Sequence, residues 1–209
     1  EVRQFKDDKP LLPAVIQNGF DYTPGNTEVD WTQDPVNWKQ DGESGYTSPI
    51  WDPAKINNEV DKMVFVKNTG NYSAYVRIYF AFEAGNFETF DKFQKMIHLN
   101  LNVDGDWKWE WLPFPAENAD GDIYFIAKAT YKNALAPDNF TDITLSQIAL
   151  DPTATNDDVN AFGKTYEVFV NAQGIQSAGF KDPDTALDEG FGDDIPFEDL
   201  TLVTGTDLK

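Results

Sequence analysis

The sequence predicts an all-β protein, a jelly-roll or immunoglobulin-like β-sandwich with a few short helices in its connections. About seven or eight segments combine β-branched and aromatic residues with an alternation of apolar and polar side chains, which is typical of strands. These segments do not alternate with long helices, so a parallel doubly wound sheet is not favoured. Apolar residues make up 41% of the 209 residues and aromatic residues 14%, which is enough to fill a sizeable core.

The clearest strands lie in the middle of the chain, where "KMVFV" (62–66) and "AYVRIYFAFE" (74–83) flank a turn at 68–71. In the second strand, alternate residues share a face. One face carries Val76, Ile78, Phe80 and Phe82, and the other carries Tyr75, Arg77 and Tyr79. The first of these faces is the one expected to line the core.

The remaining elements follow in order along the chain. Apolar spacing in "NFETFDKFQKMIHLN" predicts a short helix, and "WKWEW" and "DIYFIAKATYKN" return to strand. "TNDDVNAFG" predicts a helix capped by Thr155 or Asn156, and "KTYEVFVNAQGIQ" predicts a strand. "DPDTALDEGFG" predicts a helix that begins near Pro183 and ends at Gly190, and "DLTLVT" predicts a final strand.

Two parts of the chain are distinguished by composition. Residues 1–20 form a candidate N-terminal arm, and residues 21–209 form one β-sandwich domain. Residues 21–60 are rich in Asp, Asn, Pro and Gly, which predicts long ordered loops with short strands, held in place by three indoles, Trp31, Trp38 and Trp51.

The arm contains Pro10 and Pro13, which cannot occupy a central position in a sheet. It is therefore either a frayed terminus or an extended segment that completes another subunit's sheet by strand addition. The second interpretation is favoured because the arm is too apolar for a solvated tail; its candidate donor residues are Val2, Phe5, Leu11, Leu12, Val15 and Ile16.

Charge and cysteine content exclude several classes of function. The net charge is −20, which disfavours binding to nucleic acid or to an anionic membrane. The chain has no cysteine, so thiolate metal sites and cysteine nucleophiles are excluded. No apolar run is long enough for a transmembrane segment. The chain begins with Glu1 and not with Met, which we interpret as a processed, secreted form without its signal peptide.

No catalytic residue is predicted. His98 is the only histidine, it lies outside any H-E-x-x-H pattern, and a structural or surface role is favoured for it. Paired carboxylates, which glycosidases need, are expected by chance in a chain with 36 acidic residues. We therefore expect a protein that is not an enzyme and that requires no cofactor.

Two short segments resemble the beginning of a calcium loop. "NVDGD" contains Asp104 and Asp106, and "NADGD" contains Asp120 and Asp122, but both lack the later ligands of an EF-hand. The favoured interpretation is a tight turn in which glycine adopts the left-handed conformation, with calcium as the alternative. Two N-glycosylation patterns, at Asn71 and Asn139, indicate only that these sites are compatible with the surface.

Three tryptophans, Trp107, Trp109 and Trp111, are spaced by two residues and therefore share one face of a strand. Such a face either stacks on sugars, as in carbohydrate-binding modules, or lies in the core of the sandwich. The core is favoured, because each indole removes a large apolar area from water when it is buried.

A series of segments resembles the TasA/camelysin-like proteins of Gram-positive bacteria, which are exported with SipW-type signal peptides. The series runs through residues 61–192 and comprises "VKNTGNYSAYVRIYFAFE", "WKWEWLP", "AKATYKNALAP", "TLSQIALDPTATNDDVNAFGKTYEVFVNAQGIQSAGF" and "ALDEGFG". The resemblance implies a secreted β-sandwich that polymerises into extracellular fibres, with the N-terminal segment of one subunit filling a groove in the next. Camelysin has also been described as a metalloprotease, but no zinc motif in this chain supports that activity.

The sequence therefore leads to three hypotheses of different rank. The first is a homopolymeric fibre or pilus subunit of a biofilm matrix, with an acceptor for the arm that includes edges of the strands around residues 63–66 and 74–82. The second is a cell-surface carbohydrate-binding module that uses the tryptophan face, and a secreted metalloprotease is a distant third. Partners other than the chain itself would be other matrix proteins or polysaccharide.

Overall fold

The computed structural model describes residues 60–203, apart from residues 88, 104, 152 and 163–165, together with three short backbone segments near the N-terminus. These segments are the strands β1 (Val2–Arg3), β2 (Phe5–Lys6) and β3 (Lys9–Pro10). Predictions that concern residues 11–59 lie outside the described residues. They include the donor residues Leu11, Leu12, Val15 and Ile16 and the indoles of Trp31, Trp38 and Trp51.

Strands dominate the described part of the chain. They are β4 (Val60–Val66), β5 (Ala74–Glu83), β6 (Ile97–Leu101), β7 (Trp107–Trp111), β8 (Ala116–Glu117), β9 (Ile123–Tyr131), β10 (Leu145–Leu150), β11 (Val168–Gln176) and β12 (Thr201–Leu202). The helices are α1 (Phe90–Met96), α2 (Asn156–Ala161) and α3 (Pro183–Phe191). All lie in connections between strands, as expected.

The strands form two antiparallel sheets that pack face to face, which confirms the predicted β-sandwich. The smaller sheet has the order β1-β4-β10-β6. The larger sheet has the order β11-β5-β9-β8-β12. β7 pairs with residues 127–131 of β9, on the same edge as β8 and opposite β5. β2 and β3 pair only with each other.

The core lies between the two sheets and is built from alternate residues of each strand. The predicted face of β5 is buried there, with Val76, Ile78, Phe80 and Phe82 at most 4% exposed. Leu99 and Leu101 of β6 and Leu145 of β10 approach from the smaller sheet. The alternation that predicted the core face of β5 is therefore confirmed.

A second apolar cluster covers the outer face of the larger sheet. Tyr79, Tyr124 and Ile126 are buried there beneath Leu200 and neighbouring residues of the C-terminal segment. Arg77, on the same face, is 1% exposed and donates to the side chain of Asp188 on α3. Both faces of β5 are thus covered, which gives the larger sheet a layer of helix and loop on its outer side.

Three local predictions require correction. The segment "NFETFDKFQKMIHLN" is a helix only to Met96, after which Ile97–Leu101 forms β6, because the tertiary pairing with β10 outweighs the short helical pattern. α3 continues through Gly190 and ends at Phe191, with Gly192 (φ 70°) as its C-cap. Gly105 is not left-handed, whereas Gly121 is (φ 88°), so the predicted glycine turn holds only for the second Asp-Gly pair.

Candidate functional site

The edge of the sandwich formed by β4 and β11 is the candidate functional site. Val2 and Arg3 of β1 lie opposite Val66 and Phe65 of β4 in an antiparallel register. β1 also lies against β11, which among the described strands pairs only with β5. The start of the N-terminal arm is therefore docked where the outer strands of the two sheets meet.

The docked segment is short compared with the strand that receives it. β1 covers two of the seven residues of β4. Val66 donates its backbone N–H to Thr141 Oγ1 (3.0 Å) and accepts from the backbone N–H of Thr141 (2.9 Å). Because both backbone groups of Val66 are engaged by Thr141, Val2 and Val66 form a pair without mutual hydrogen bonds, the type in which the two Cα atoms lie closest together.

A groove of about 260 Å³ continues from this edge between β4, β5 and β11. Its apolar lining includes Val66, Val76 and Ile175. Gly174 of β11 also lines it, and a Cβ there would only touch Val76 Cγ1 at 3.6 Å. The groove has the apolar floor that inserted side chains of an extended segment require.

The turn that closes one end of this groove is held by a single side chain. Asn68 is buried, and its Nδ2 donates to the carbonyl oxygens of Tyr72 (2.9 Å) and Leu135 (2.8 Å). Its Oδ1 accepts from the backbone N–H of Gly70 (2.9 Å). The groove therefore has a preformed wall, because the turn cannot open without losing three hydrogen bonds.

Of the two strand edges expected to accept an arm, only one is accessible. The prediction for residues 63–66 agrees with the position of β1 beside Phe65 and Val66. The prediction for residues 74–82 is wrong, because β5 is paired with β11 along one edge and with β9 along the other. At this end of the larger sheet the outer edge belongs to β11.

The tryptophan face lies in the core. Trp107 is 1% exposed and donates its indole N–H to the carbonyl oxygen of Asp142 (3.1 Å). Trp109 stacks on Phe80 with ring centroids 5.2 Å apart, and Trp111 packs edge-on against Phe90 at 4.9 Å. The three rings therefore do not form an open platform for sugar stacking.

Among the described residues, the candidate calcium residues belong to no group of three or more acidic or histidine side chains. Asn118 organises the second segment, since its Oδ1 accepts the backbone N–H groups of Asp120 (3.0 Å) and Asp122 (2.9 Å), and its Nδ2 donates to Asp122 Oδ2 (2.9 Å). This is a turn stabilised by its own side chains. In the first segment, Asp104 lies outside the described residues, and Asp106 directly precedes β7.

One buried carboxylate that the sequence did not indicate lies beside the first segment. Asp142 is 9% exposed and accepts from Asn102 Nδ2 at 2.6 Å, although the two residues are 40 positions apart. Burial raises the pKa of Asp142, and the Asn102 amide and the Asp106 backbone N–H oppose that increase. The pairing of β6 with β10 in the smaller sheet brings these residues together, so no local pattern could have found them.

His98 of β6 is hydrogen-bonded to Asp151, which directly follows β10. Its Nε2 lies 2.7 Å from Asp151 Oδ2, and the pair is mostly buried. Hydrogen bonds from Thr153, with a contribution from His98, lower the pKa of Asp151 to about 2.

A second groove, of about 980 Å³, lies beside β12 at the far end of the larger sheet. Its rim carries Glu117, Asp120, Glu198 and Asp199, and its floor includes Phe169 and Leu200. The exposed ring of Phe169 packs near Phe197. This groove is wide, open and acidic, and the described residues that line it include no basic side chain.

Features of other functional classes are not seen in the described part of the chain. No three histidine, aspartate or glutamate side chains there are grouped closely enough to hold a metal ion. Among the same residues, no helix has the length and apolar character needed to cross a membrane. Comparison of the chain with protein families, with curated proteins and with solved structures gives no match.

Proposed function

We propose that this chain is the structural subunit of a secreted extracellular fibre or pilus of the biofilm-matrix type, which polymerises head to tail by donation of its N-terminal arm. The observation that carries the proposal is the antiparallel pairing of Val2 and Arg3 with the end of β4, beside the apolar groove that β11 borders. A donor strand supplies backbone hydrogen bonds along an edge and inserts alternate side chains into pockets.

The pairing seen within one chain supports exchange between chains. An arm that covers only two residues of β4 can dissociate at small cost, and the same register is then open to the arm of a second copy. Because such a contact joins two different surfaces, it does not close on itself and propagates into a filament. The subunit therefore needs neither a catalytic residue nor a cofactor.

The absence of cysteine allows a direct test of this exchange. In a pair without mutual hydrogen bonds the Cα atoms are about 4.5 Å apart, which lies within the range that a disulfide can bridge. The double variant Val2→Cys with Val66→Cys, oxidised after assembly, should give a ladder of covalently linked oligomers on a denaturing gel. The matched control is Val2→Cys with Asp120→Cys, in which the second cysteine lies in the turn stabilised by Asn118, and it should give no ladder.

Electron microscopy of the same samples supplies the second measurement. The full-length protein should form filaments, and a chain that lacks residues 1–16 should form none. Filaments that persist without these residues, or cross-links confined to monomers in samples that contain filaments, would overturn the proposal.

A further inference from the structure

The wide acidic groove beside β12, called here the β12 groove, lies at an open edge of the larger sheet. β12 ends the strand order, and among the described strands it pairs only with β8. Val203 donates its backbone N–H to the carbonyl oxygen of Pro115 (2.9 Å). Because hydrogen-bonded pairs alternate with pairs that are not bonded, the preceding pair, Leu202 with Ala116, has no mutual hydrogen bonds. The backbone N–H and C=O of Leu202 therefore point away from β8, where an added strand can bond to them.

The floor of the β12 groove contains an aromatic ring that the fold leaves partly uncovered. Phe169 of β11 is 40% exposed, although its ring centroid lies 5.3 Å from that of Tyr124 and 6.4 Å from that of Phe197. These two contacts hold the ring in place without covering it. An apolar side chain inserted against Phe169 would remove further apolar area from water.

Four exposed carboxylates form the rim of the β12 groove and have no cation beside them. They belong to Glu117, Asp120, Glu198 and Asp199. In the contacts that the described residues show, none of these four side chains forms an ion pair or accepts a hydrogen bond. A cleft lined by charges of one sign concentrates its field and attracts groups of the opposite sign.

A second copy of this chain does not have the charge that the groove attracts. The chain has 36 acidic and 16 basic residues, and within residues 1–10 the three basic side chains are balanced by three acidic ones. Charged side chains at a short edge strand oppose pairing between like copies. The rim therefore disfavours another copy at β12 and favours a different chain of opposite charge.

We propose that the β12 groove binds an extended, lysine- or arginine-rich segment of a second, different protein, which adds as a strand to the edge of β12. Backbone hydrogen bonds to Leu202 set the register of the segment, and its alternate apolar side chains cover Phe169. The basic side chains between them meet the carboxylates of the rim. The β12 groove shares no residue with the groove beside β4 and β11, so this inference goes beyond the proposed fibre and does not depend on it.

Fluorescence anisotropy with labelled synthetic peptides and the full-length protein tests the proposal. The probe is a short peptide of alternating lysine and valine. Its two controls are the same peptide with glutamate in place of lysine, and the lysine peptide with every backbone amide N-methylated. We expect saturable binding of one lysine peptide per chain, weaker as NaCl is raised from about 0.05 M to about 0.5 M, and no binding of either control.

Two double variants locate the binding site. Glu198→Gln with Asp199→Asn removes two rim charges and should weaken binding of the lysine peptide by about tenfold. The matched control, Asp193→Asn with Asp194→Asn, removes the same charge from two exposed acids of the same segment that do not line the groove. It should change the affinity by less than about twofold.

Several results would overturn the proposal. Equal losses in the two double variants would mean that the peptide responds to the overall charge and not to the β12 groove. Tight binding of the N-methylated peptide, or displacement of the lysine peptide by an equal concentration of spermine, would mean that the groove holds a compact polycation and not a strand. Absence of lysine-peptide binding at about 0.05 M NaCl would also overturn it. Filament formation is not measured, so failure of the proposed arm exchange would not affect these results.

Discussion

The guanidinium group of Arg77 and the carboxylate of Asp188 form a 2.6 Å ion pair that joins the middle of the larger sheet to α3. Arg77 is 1% exposed, and its other donors reach Gln173 Oε1 (2.6 Å) and the carbonyl oxygen of Gly192 (2.9 Å). A charged group on a central strand is thereby satisfied by three acceptors from β11, α3 and the residue that caps α3. This single side chain fixes the position of the helix on the sheet.

Asp188→Ala should lower the free energy of unfolding by about 1–2 kcal/mol, because it removes the anionic partner of a buried cation while two neutral acceptors remain. Urea denaturation measures the change. The control is Glu189→Ala, the neighbouring and exposed acid of the same helix, which should change stability by less than about 0.5 kcal/mol. Equal effects of the two variants would contradict the role assigned to the ion pair.

Phe93→Ala should be among the most destabilising substitutions, at about 3–5 kcal/mol, because Phe93 is fully buried among Phe82, Phe125 and Trp111. The same substitution at Phe114, which is 44% exposed, serves as the control and should cost far less. Thermal and chemical denaturation measure both. A small loss at Phe93 would mean that α1 does not pack on the core as described.

Gly105→Ala should destabilise the protein by about 2 kcal/mol. A Cβ at this position would overlap the side chain of Asn102, which cannot move without losing its bonds to Asp142 and Ile143. Gly174→Ala is the matched control, since its Cβ makes only ordinary contacts in β11, and it should be neutral or stabilise by up to about 1 kcal/mol. The reverse order of the two effects would contradict the packing of Asn102.

Lys62 should make stability depend on pH in the alkaline range. Burial lowers the pKa of Lys62 to about 8, below its ordinary value of 10.5. Between these two pKa values the unfolded chain binds more protons than the folded chain, so Lys62 makes the free energy of unfolding rise with pH. Below pH 8 the side chain is charged in both states, and the full cost of burying its charge is present. We expect Lys62→Met to be more stable than the wild type at pH 7, by about 2 kcal/mol.

The difference between Lys62→Met and the wild type isolates this residue from other groups that titrate in the same range. Urea denaturation of both proteins at pH 7, 8.5 and 10 should show the gap narrowing as the pH rises. A gap that stays constant across this range would show that the folded state does not disfavour the charged form of Lys62.

Salt should accelerate fibre assembly, if the proposed function is correct. Each chain carries a net charge of −20, and its repulsion by a second copy acts over a Debye length of about 30 Å at 0.01 M salt but only about 8 Å at 0.15 M. Light scattering should therefore show faster elongation as NaCl is raised through this range. Assembly that slows with added NaCl would indicate contacts dominated by attraction between opposite charges.

Local sequence patterns determined much of the fold. The alternation in β5 predicted its buried face, and the tryptophan spacing in β7 placed three indoles on one side. Thr155 was predicted as a candidate cap of α2, and its side chain does accept a hydrogen bond from the backbone N–H of Asp158. These predictions succeed because each depends on residues within a few positions of one another, where strand pleating and helix capping impose fixed periods.

Only the tertiary structure decided which edges and which polar groups meet. β5 has the strongest strand pattern in the chain, yet pairing on both sides leaves its edge closed, whereas β4 and β11 border the groove. Residues 97–101 form a strand because they pair with β10, although their local apolar spacing favours a helix. Asp142 meets Asn102 only because β6 pairs with β10, and contacts between residues 40 positions apart have no local period from which they could be predicted.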